Sequence, residues 1–513
     1  MVQMSKVVAQ SKISKPVFLG SAGFVIICTV FAAWSGTELA PIAQNAQNTL
    51  SHIFGWSYTL LIALLLPFVL WLGLGRFSNV KLGPDEAHPD FSFRSWLSML
   101  FAAGMGIGLM FYSVAEPILH FNFPTVGDPR TIAAAKQAMN ICFVHWGLNA
   151  WAIYAIVGLS LAYFSFRLKL PLTMRSMLWP LLGTRIYGWI GNVVDASAVI
   201  ASVFGVATSL ALGTMQVTTG LHQLFQVPES IFTHILFISG VASLTVLSIV
   251  AGLERGIRWI AGMNSFLGLT LVGFVLSVGP TLFILRGTIE SLGYYLQHLP
   301  ETMFWTDTYR STAWQNKWTV FYWAWWITWA PFVGMFIARI SRGRTLREFV
   351  LGVLVVPSLL TLFWFSVFGH TALWIELFGS GGLSEAVQNN TATALFLMLK
   401  QFPWSALSSL LSMFVVLTFF ITSSNSGALV AAMLSTSGNP TPPLWQRVFW
   451  TLAQGTVAAI LLACGGISAL QAGSVCAALP LSLLLVFVCI GMVKELYRSH
   501  VSPELMVDYS AGK

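Results

Sequence analysis

Charge is what this 513-residue chain has least of: Asp, Glu, Lys and Arg together make up 9% of it. A water-soluble fold of this size needs far more charge on its surface, so that class is excluded. Cysteine is scarce too. Cys28, Cys142, Cys464, Cys476 and Cys489 lie singly in apolar stretches, and no two have metal or redox spacing. They read as small core residues. Carboxylates are nearly missing from the long apolar segments: of 18 acidic residues, only Glu116 and Asp195 fall inside or at the edge of one. Each reads as an end-of-helix structural residue, Glu116 before Pro117 and Asp195 opening its segment. An intramembrane enzyme needs converging His, Asp or Glu pairs, and none is apparent. No repeated ring or filter marks a channel, and no signalling domain marks a receptor.

What is abundant is apolar. Hydrophobic residues fill 56% of the chain and mean hydropathy is +0.76, the profile of an all-α polytopic membrane protein. Apolar segments lie near 17–35, 56–74, 95–114, 141–164, 193–214, 230–250, 261–284, 318–339, 349–374, 405–431, 448–465 and 474–493, about twelve spans. The first lacks a convincing small-residue cleavage site and reads as a retained helix. With the N-terminus inside, 20 of the 26 basic residues fall on inside segments, Lys6, Lys12, Arg255, Arg258 and Lys513 among them. That satisfies the positive-inside rule with both termini cytoplasmic. The net charge of +8 is therefore topological and does not call for nucleic acid. Within 285–300, Ile289, Leu292, Tyr295 and Leu296 share one helical face. This predicts either a helix on the outer membrane surface or an ordinary loop helix.

Residues 318–332 read WTVFYWAWWITWAPF, with Trp323, Trp325, Trp326 and Trp329 near the centre of a span. Tryptophan usually belongs to the membrane interface. Central indoles make more sense lining a cavity, where a π-face attracts a desolvated cation. In the fourth segment Trp146, Trp151 and Tyr154 are spaced to face one cavity over about two turns. His145 beside them is either a satisfied core histidine or a proton carrier. With so few carboxylates, the cation fits best as a quaternary ammonium group, which has no N–H to donate. A primary amine or guanidinium would want carboxylates.

Two segments carry helix breakers. Gly104, Gly106 and Gly108 alternate in the third, each costing roughly 1 kcal/mol of helix stability relative to alanine. Gly104 and Gly108 also form a close-packing GxxxG pair, but packing does not require Gly106, and an unwound binding segment is expected. Five segments later Pro331 is expected to interrupt the tryptophan segment. Paired interruptions point to an inverted-repeat transporter with a mid-membrane site: two peripheral spans (17–74), a first repeat (95–284), a second (318–493) and a short cytoplasmic tail (494–513).

Four stretches, GMGIGLMFYSVAEP (104–117), HWGLNAWAIYAIVG (145–158), FYWAWWITWAPFVGMFIARISRGRT (321–345) and FFITSSNSGALV (419–430), resemble the betaine/carnitine/choline transporter family. The resemblance covers nearly the whole chain. It implies twelve spans, a LeuT-like five-plus-five inverted repeat, a homotrimer in the bacterial inner membrane and a trimethylammonium substrate. It places Trp146, Trp151, Tyr154, Trp325, Trp326 and Trp329 in an aromatic box, with Phe321 beside it. The stretch RLKLPLTMRSMLWPLLG (167–183) looks most like the choline branch. No cofactor is expected beyond a coupling ion, proton or sodium. The family's sodium position corresponds to Ala102, Met105, Phe419, Thr422 and Ser423. A second one keeps Ser202 but has Val206 for a threonine ligand. Proton-coupled choline members carry aspartate at the place of Gly108, and Asn425 replaces a frequent aspartate. Some members sense osmotic stress through a long charged C-terminal tail, a feature not expected here. Arg339, Arg342, Arg344 and Arg347 form a cytoplasmic cluster, read as loop pairing or as a gate. Ion-coupled import of choline is the expectation, with betaine, carnitine and exchange as alternatives.

Overall fold

The computed structural model describes residues 13–104, 106–252, 254–310 and 312–501. Lys6, Lys12, Met105, Lys513 and the side chains of Arg255 and Arg258 lie outside the described residues, as does the tail beyond Val501. The structure is 83% helical with no strand among the described residues.

The chain opens with α1 (Lys15–Ser35) and α2 (Leu39–Leu74), joined by a single 3-10 turn. A loop leads to α3 (Phe93–Ala103) and α4 (Ile107–Asn122), then α5 (Ile132–Trp146) and α6 (Leu148–Ala162). After the short α7 (Trp179–Leu182) come α8 (Trp189–Phe225), α9 (Ile231–Val250), α10 (Glu254–Val278) and α11 (Thr281–Phe304). One turn, α12 (Trp314–Lys317), precedes the tryptophan helix α13 (Thr319–Ile340) and α14 (Leu346–Phe378). Two short helices, α15 (Leu383–Asn389) and α16 (Ala394–Lys400), lead to α17 (Ser405–Ser435) and α18 (Leu444–Val501).

Eight helices among the described residues are long and apolar enough to cross a membrane, or ten if each of two bent pairs is one span. Every one of the twelve apolar segments falls in one of these elements. The 60-residue stretch Lys15–Leu74 and the 56-residue stretch Leu444–Ser499 hold two segments each. Each is far longer than the ~20 residues one crossing needs. Both are broken at glycine: Gly36 (φ 53°) follows α1, and Gly466 (φ 57°) lies inside α18. The expected surface helix is real as a helix. α11 covers it and turns 111° from the end of α10.

The loops are fixed by their own chemistry. Thr345 and Glu348 form a reciprocal cap at the start of α14. The arginine cluster pairs loops: Arg347 donates to Ser78 Oγ (3.0 Å), Arg342 faces Asp90 (3.6 Å), and buried Arg344 donates to the Phe91 carbonyl (2.7 Å). The Arg344 guanidinium also lies 4.9 Å from the Trp96 ring of α3. At the start of α8, Asp195 is fully buried and accepts from the Arg175 backbone N–H (2.9 Å) and Nε (2.5 Å). The expected structural role fits, but not the expected position at a helix end: six residues of α8 precede it.

Candidate functional site

The third segment breaks where its glycines lie. α3 ends at Ala103, α4 begins at Ile107, and the two halves meet at 58°. Gly106 has extended backbone (φ −166°, ψ 173°), which any residue adopts, and a Cβ there would meet nothing within 4 Å. Its part in the break is low helix propensity and open space rather than a special φ. Gly108 is different. A Cβ there would lie 2.5 Å from Trp325 Cη2 and 3.1 Å from Trp146 Cη2, so two indoles come together only because that residue has no side chain.

A second break, not anticipated, lies at Gly147 (φ −94°, ψ −138°), between α5 and α6. Backbone groups freed inside a membrane need partners. Thr361 Oγ1 donates to the Trp146 carbonyl (2.8 Å), and the Leu148 N–H donates to Tyr295 Oη (3.3 Å). The expected interruption at Pro331 is absent. α13 runs through it as one helix, a proline that packed neighbours tolerate within a membrane.

The two breaks face one cavity of about 60 Å³. Trp146, Trp151, Tyr154, Trp325, Trp326 and Trp329 line it, together with Gly104, Gly106 and Gly108. Trp325 and Trp326 stack at 5.0 Å and 12°, and Trp146 stands edge-on to Trp326 at 4.9 Å and 76°. No charged side chain is among the lining residues. Phe321, expected beside the box, is not in the lining. It is one helical turn before Trp325 and stacks behind it at 5.5 Å. Trp323 is on the far side of α13, edge-on to His145.

Four indole N–H groups are turned onto protein. Trp325 and Trp329 donate to the Gly205 carbonyl (3.4 and 3.0 Å), Trp326 to the His145 carbonyl (2.8 Å) and Trp146 to Glu116 Oε2 (2.7 Å). Those four indoles therefore present ring faces and carbon edges to the cavity.

Glu116 is the residue that sequence reasoning misplaced. It sits well inside α4, fully buried, not at a helix end. Its Oε1 takes His145 Nδ1 (2.7 Å) and His120 Nε2 (3.2 Å), and its Oε2 takes Trp146 Nε1 and Tyr322 Oη (2.5 Å). His145 Nε2 meets Thr319 Oγ1 (3.1 Å), so both of its ring nitrogens are partnered. The available signal was His120 one turn after Glu116, on the same face.

Of the residues matched to a sodium position, Phe419, Thr422 and Ser423 lie together on α17, and Met105 is outside the described residues. Ala102 lies on α3, whose main contacts are α14, α10 and α13. The Thr422 hydroxyl donates back to the Thr418 and Phe419 carbonyls (3.0 and 3.1 Å). Ser202 is buried with no hydrogen-bond partner on its hydroxyl. Asn425 Oδ1 accepts from Arg447 Nη2 (3.4 Å).

A cavity walled by indoles, where broken helices meet inside a bundle of membrane-length helices, is the architecture of a multi-pass transporter. Comparison with known proteins agrees. Residues 16–501 match the family described as BCCT, betaine/carnitine/choline family transporter. The chain is 42% identical to the glycine betaine transporter of Acinetobacter baylyi, over 95% of this chain and 74% of that protein. It is 40% identical to the high-affinity choline transport protein of Escherichia coli, over 97% and 74%. With the probable glycine betaine transporter of Desulfitobacterium hafniense it shares 38% identity, over 94% and 97%. The chain belongs to the betaine/carnitine/choline transporter family, and it is a transporter, not an enzyme.

Proposed function

We propose that this transporter imports a trimethylammonium compound, choline first, by ion-coupled symport and alternating access. The observation that carries the reading is a cavity of six aromatic side chains and glycine backbone with no charged group in its lining. A cation there is held chiefly by ring faces, which suits methylated nitrogen, while an ordinary ammonium would find no carboxylate and only the hydroxyls of Tyr154, Ser209 and Thr361 and the open backbone for its N–H groups. One feature supports a proton over sodium. Val206 lacks the hydroxyl of the second sodium position. Gly108 has no room for an aspartate, so a proton would be carried elsewhere.

One observation favours a second reading. The N-terminus of α4 opens onto the cavity at Gly106–Gly108, and helix-end N–H groups hold carboxylates well. That suits glycine betaine or carnitine, with sodium coupling or exchange. On either reading we place both termini in the cytoplasm, α11 at the outer surface, residues 95–284 and 318–493 as inverted repeats, and three copies in a trimer within the inner membrane. The test is radiolabelled choline uptake into proteoliposomes under a proton or a sodium gradient, with betaine as competitor. Accumulation with protons alone, little affected by betaine, supports choline symport. Accumulation only with sodium, or strong competition by betaine, moves the reading to the alternative.

A further inference from the structure

The carboxylate behind the aromatic wall is unused by the scheme above, yet it is tied to that wall. Trp146 spans the distance. Its N–H rests on Glu116 Oε2 at 2.7 Å, while its Cη2 edge reaches the cavity beside Gly108. Tyr322, the second donor to Oε2, packs against Trp146 (5.6 Å) and Trp326 (6.0 Å).

The geometry also accommodates a charged carboxylate. Four groups converge on two oxygens, and the indole N–H can only donate. An ionised carboxylate accepts all four when each histidine carries a proton on the nitrogen that faces it. The histidines need not cancel that charge. His120 Nδ1 is buried with no hydrogen-bond partner, so a proton there would be stranded. Thr319 can donate to His145 Nε2, which leaves His145 a neutral donor through Nδ1.

We infer that Glu116 is a specificity-determining residue: an ionised carboxylate one layer behind the cage, supplying through Trp146 and Tyr322 the counter-charge that makes the cavity select a cation over an uncharged molecule of the same shape. The inference rests on the cation-cage reading of the cavity. The physics is twofold. A carboxylate on the indole N–H pushes electron density into the ring and deepens its negative face. The charge itself also acts across the wall: between unit charges separated by on the order of 8–10 Å, at an effective dielectric of about 20, the attraction amounts to roughly fifteen- to thirtyfold in affinity.

The experiment is equilibrium binding by isothermal titration calorimetry on the purified full-length chain in detergent. The probes are choline and its uncharged carbon isostere, 3,3-dimethyl-1-butanol. Wild type is expected to prefer choline strongly. Glu116→Gln is expected to lose fifteen- to thirtyfold in choline affinity with the isostere unchanged, and Glu116→Asp, which keeps the charge, to retain the preference. If Glu116→Gln keeps the wild-type ratio, or loses both ligands equally, Glu116 is scaffolding and the inference is overturned. Should wild type itself fail to prefer choline, the cage reading falls instead. If Glu116→Gln does not fold, infrared difference spectra of wild type with carbon-13-labelled glutamate decide. A carboxylate band shifted by choline and not by the isostere supports the inference; a protonated carboxyl band, or no shift, refutes it.

Discussion

Replacing Gly108 by alanine tests the site with a single methyl group. That methyl carbon would lie 2.5 Å from Trp325 Cη2 and 3.1 Å from Trp146 Cη2. Ordinary carbon contacts are about 3.5–4.0 Å, so Trp325 must retreat by about 1 Å. It has little room to do so, being fully buried and stacked between Phe321 and Trp326. Overpacking of this kind costs roughly 1–3 kcal/mol. If the cage absorbs it, choline affinity falls between about fivefold and a hundredfold. The assay is choline binding by calorimetry alongside thermal unfolding of the same preparation. Gly106→Ala is the control, because its methyl meets nothing within 4 Å and its extended backbone suits any residue. That variant should unfold at the wild-type temperature. Wild-type affinity and unfolding temperature in Gly108→Ala would refute the close approach of the two indoles at that residue.

Trp326→Ala removes one stacked face and should weaken choline binding by roughly 1–2 kcal/mol, read as the dissociation constant. Asp195→Asn leaves the buried Arg175 guanidinium without its counter-charge and should lower stability by about 3 kcal/mol or more, seen as a lower unfolding temperature. Thr361→Val removes the donor to the Trp146 carbonyl at the α5–α6 break, a loss of about 1 kcal/mol in the same assay. In the loop before α3, the hydrogen bond from Arg167 holds the Asp85 carboxyl below its usual range. A depressed carboxylate stabilises fully above its unfolded pKa of about 4, and that stability is lost as pH falls through the folded value. Asp85 is largely exposed, so Asp85→Asn should cost under about 1 kcal/mol at neutral pH, and the two proteins should melt together in strong acid.

The apolar helices and the gathering of six aromatic residues around one cavity were legible because each rests on a local signal: apolar length, tryptophan where a span wants aliphatic carbon, and alternating glycines. Glu116 was misread for the same reason. A carboxylate lowers local hydropathy, so the apolar segment ends near residue 114, although α4 continues to Asn122. Its partners His145, Trp146 and Tyr322 are 29, 30 and 206 residues away, and only the fold brings them to it. The break at Gly147 carried too little signal, since a lone glycine inside a helix is usually tolerated. Pro331 erred the other way: a strong local breaker overruled by packing. Phe321 shares the face of Trp325 but sits one turn along, where that face meets protein instead of the cavity.

The polar contacts of the cage also show which parts of the molecule can move as units. Trp325 and Trp329 tie α13 to α8 through the Gly205 carbonyl, and Trp326 ties it to α5 through the His145 carbonyl. α4 joins the same block through Glu116 and through Gln216, whose Nε2 donates to the Met110 carbonyl (3.0 Å). These bonds hold the rings before any ligand arrives, so binding has little side-chain freedom left to quench. α3 is held elsewhere. Trp96 donates to Ser341 Oγ (3.0 Å), and Arg344 stacks on the same ring at the loop after α13. Gly104 and Gly106 thus lie between α4, fastened to the cage, and α3, fastened to α14, to the C-terminal end of α13 and to the loop after it. Displacement of α3 there would alter the cavity wall at Gly104 and Gly106, whereas the indoles are held by protein partners of their own. On the alternating-access reading proposed above, the cage is the fixed part and α3 the half-helix that moves beside it.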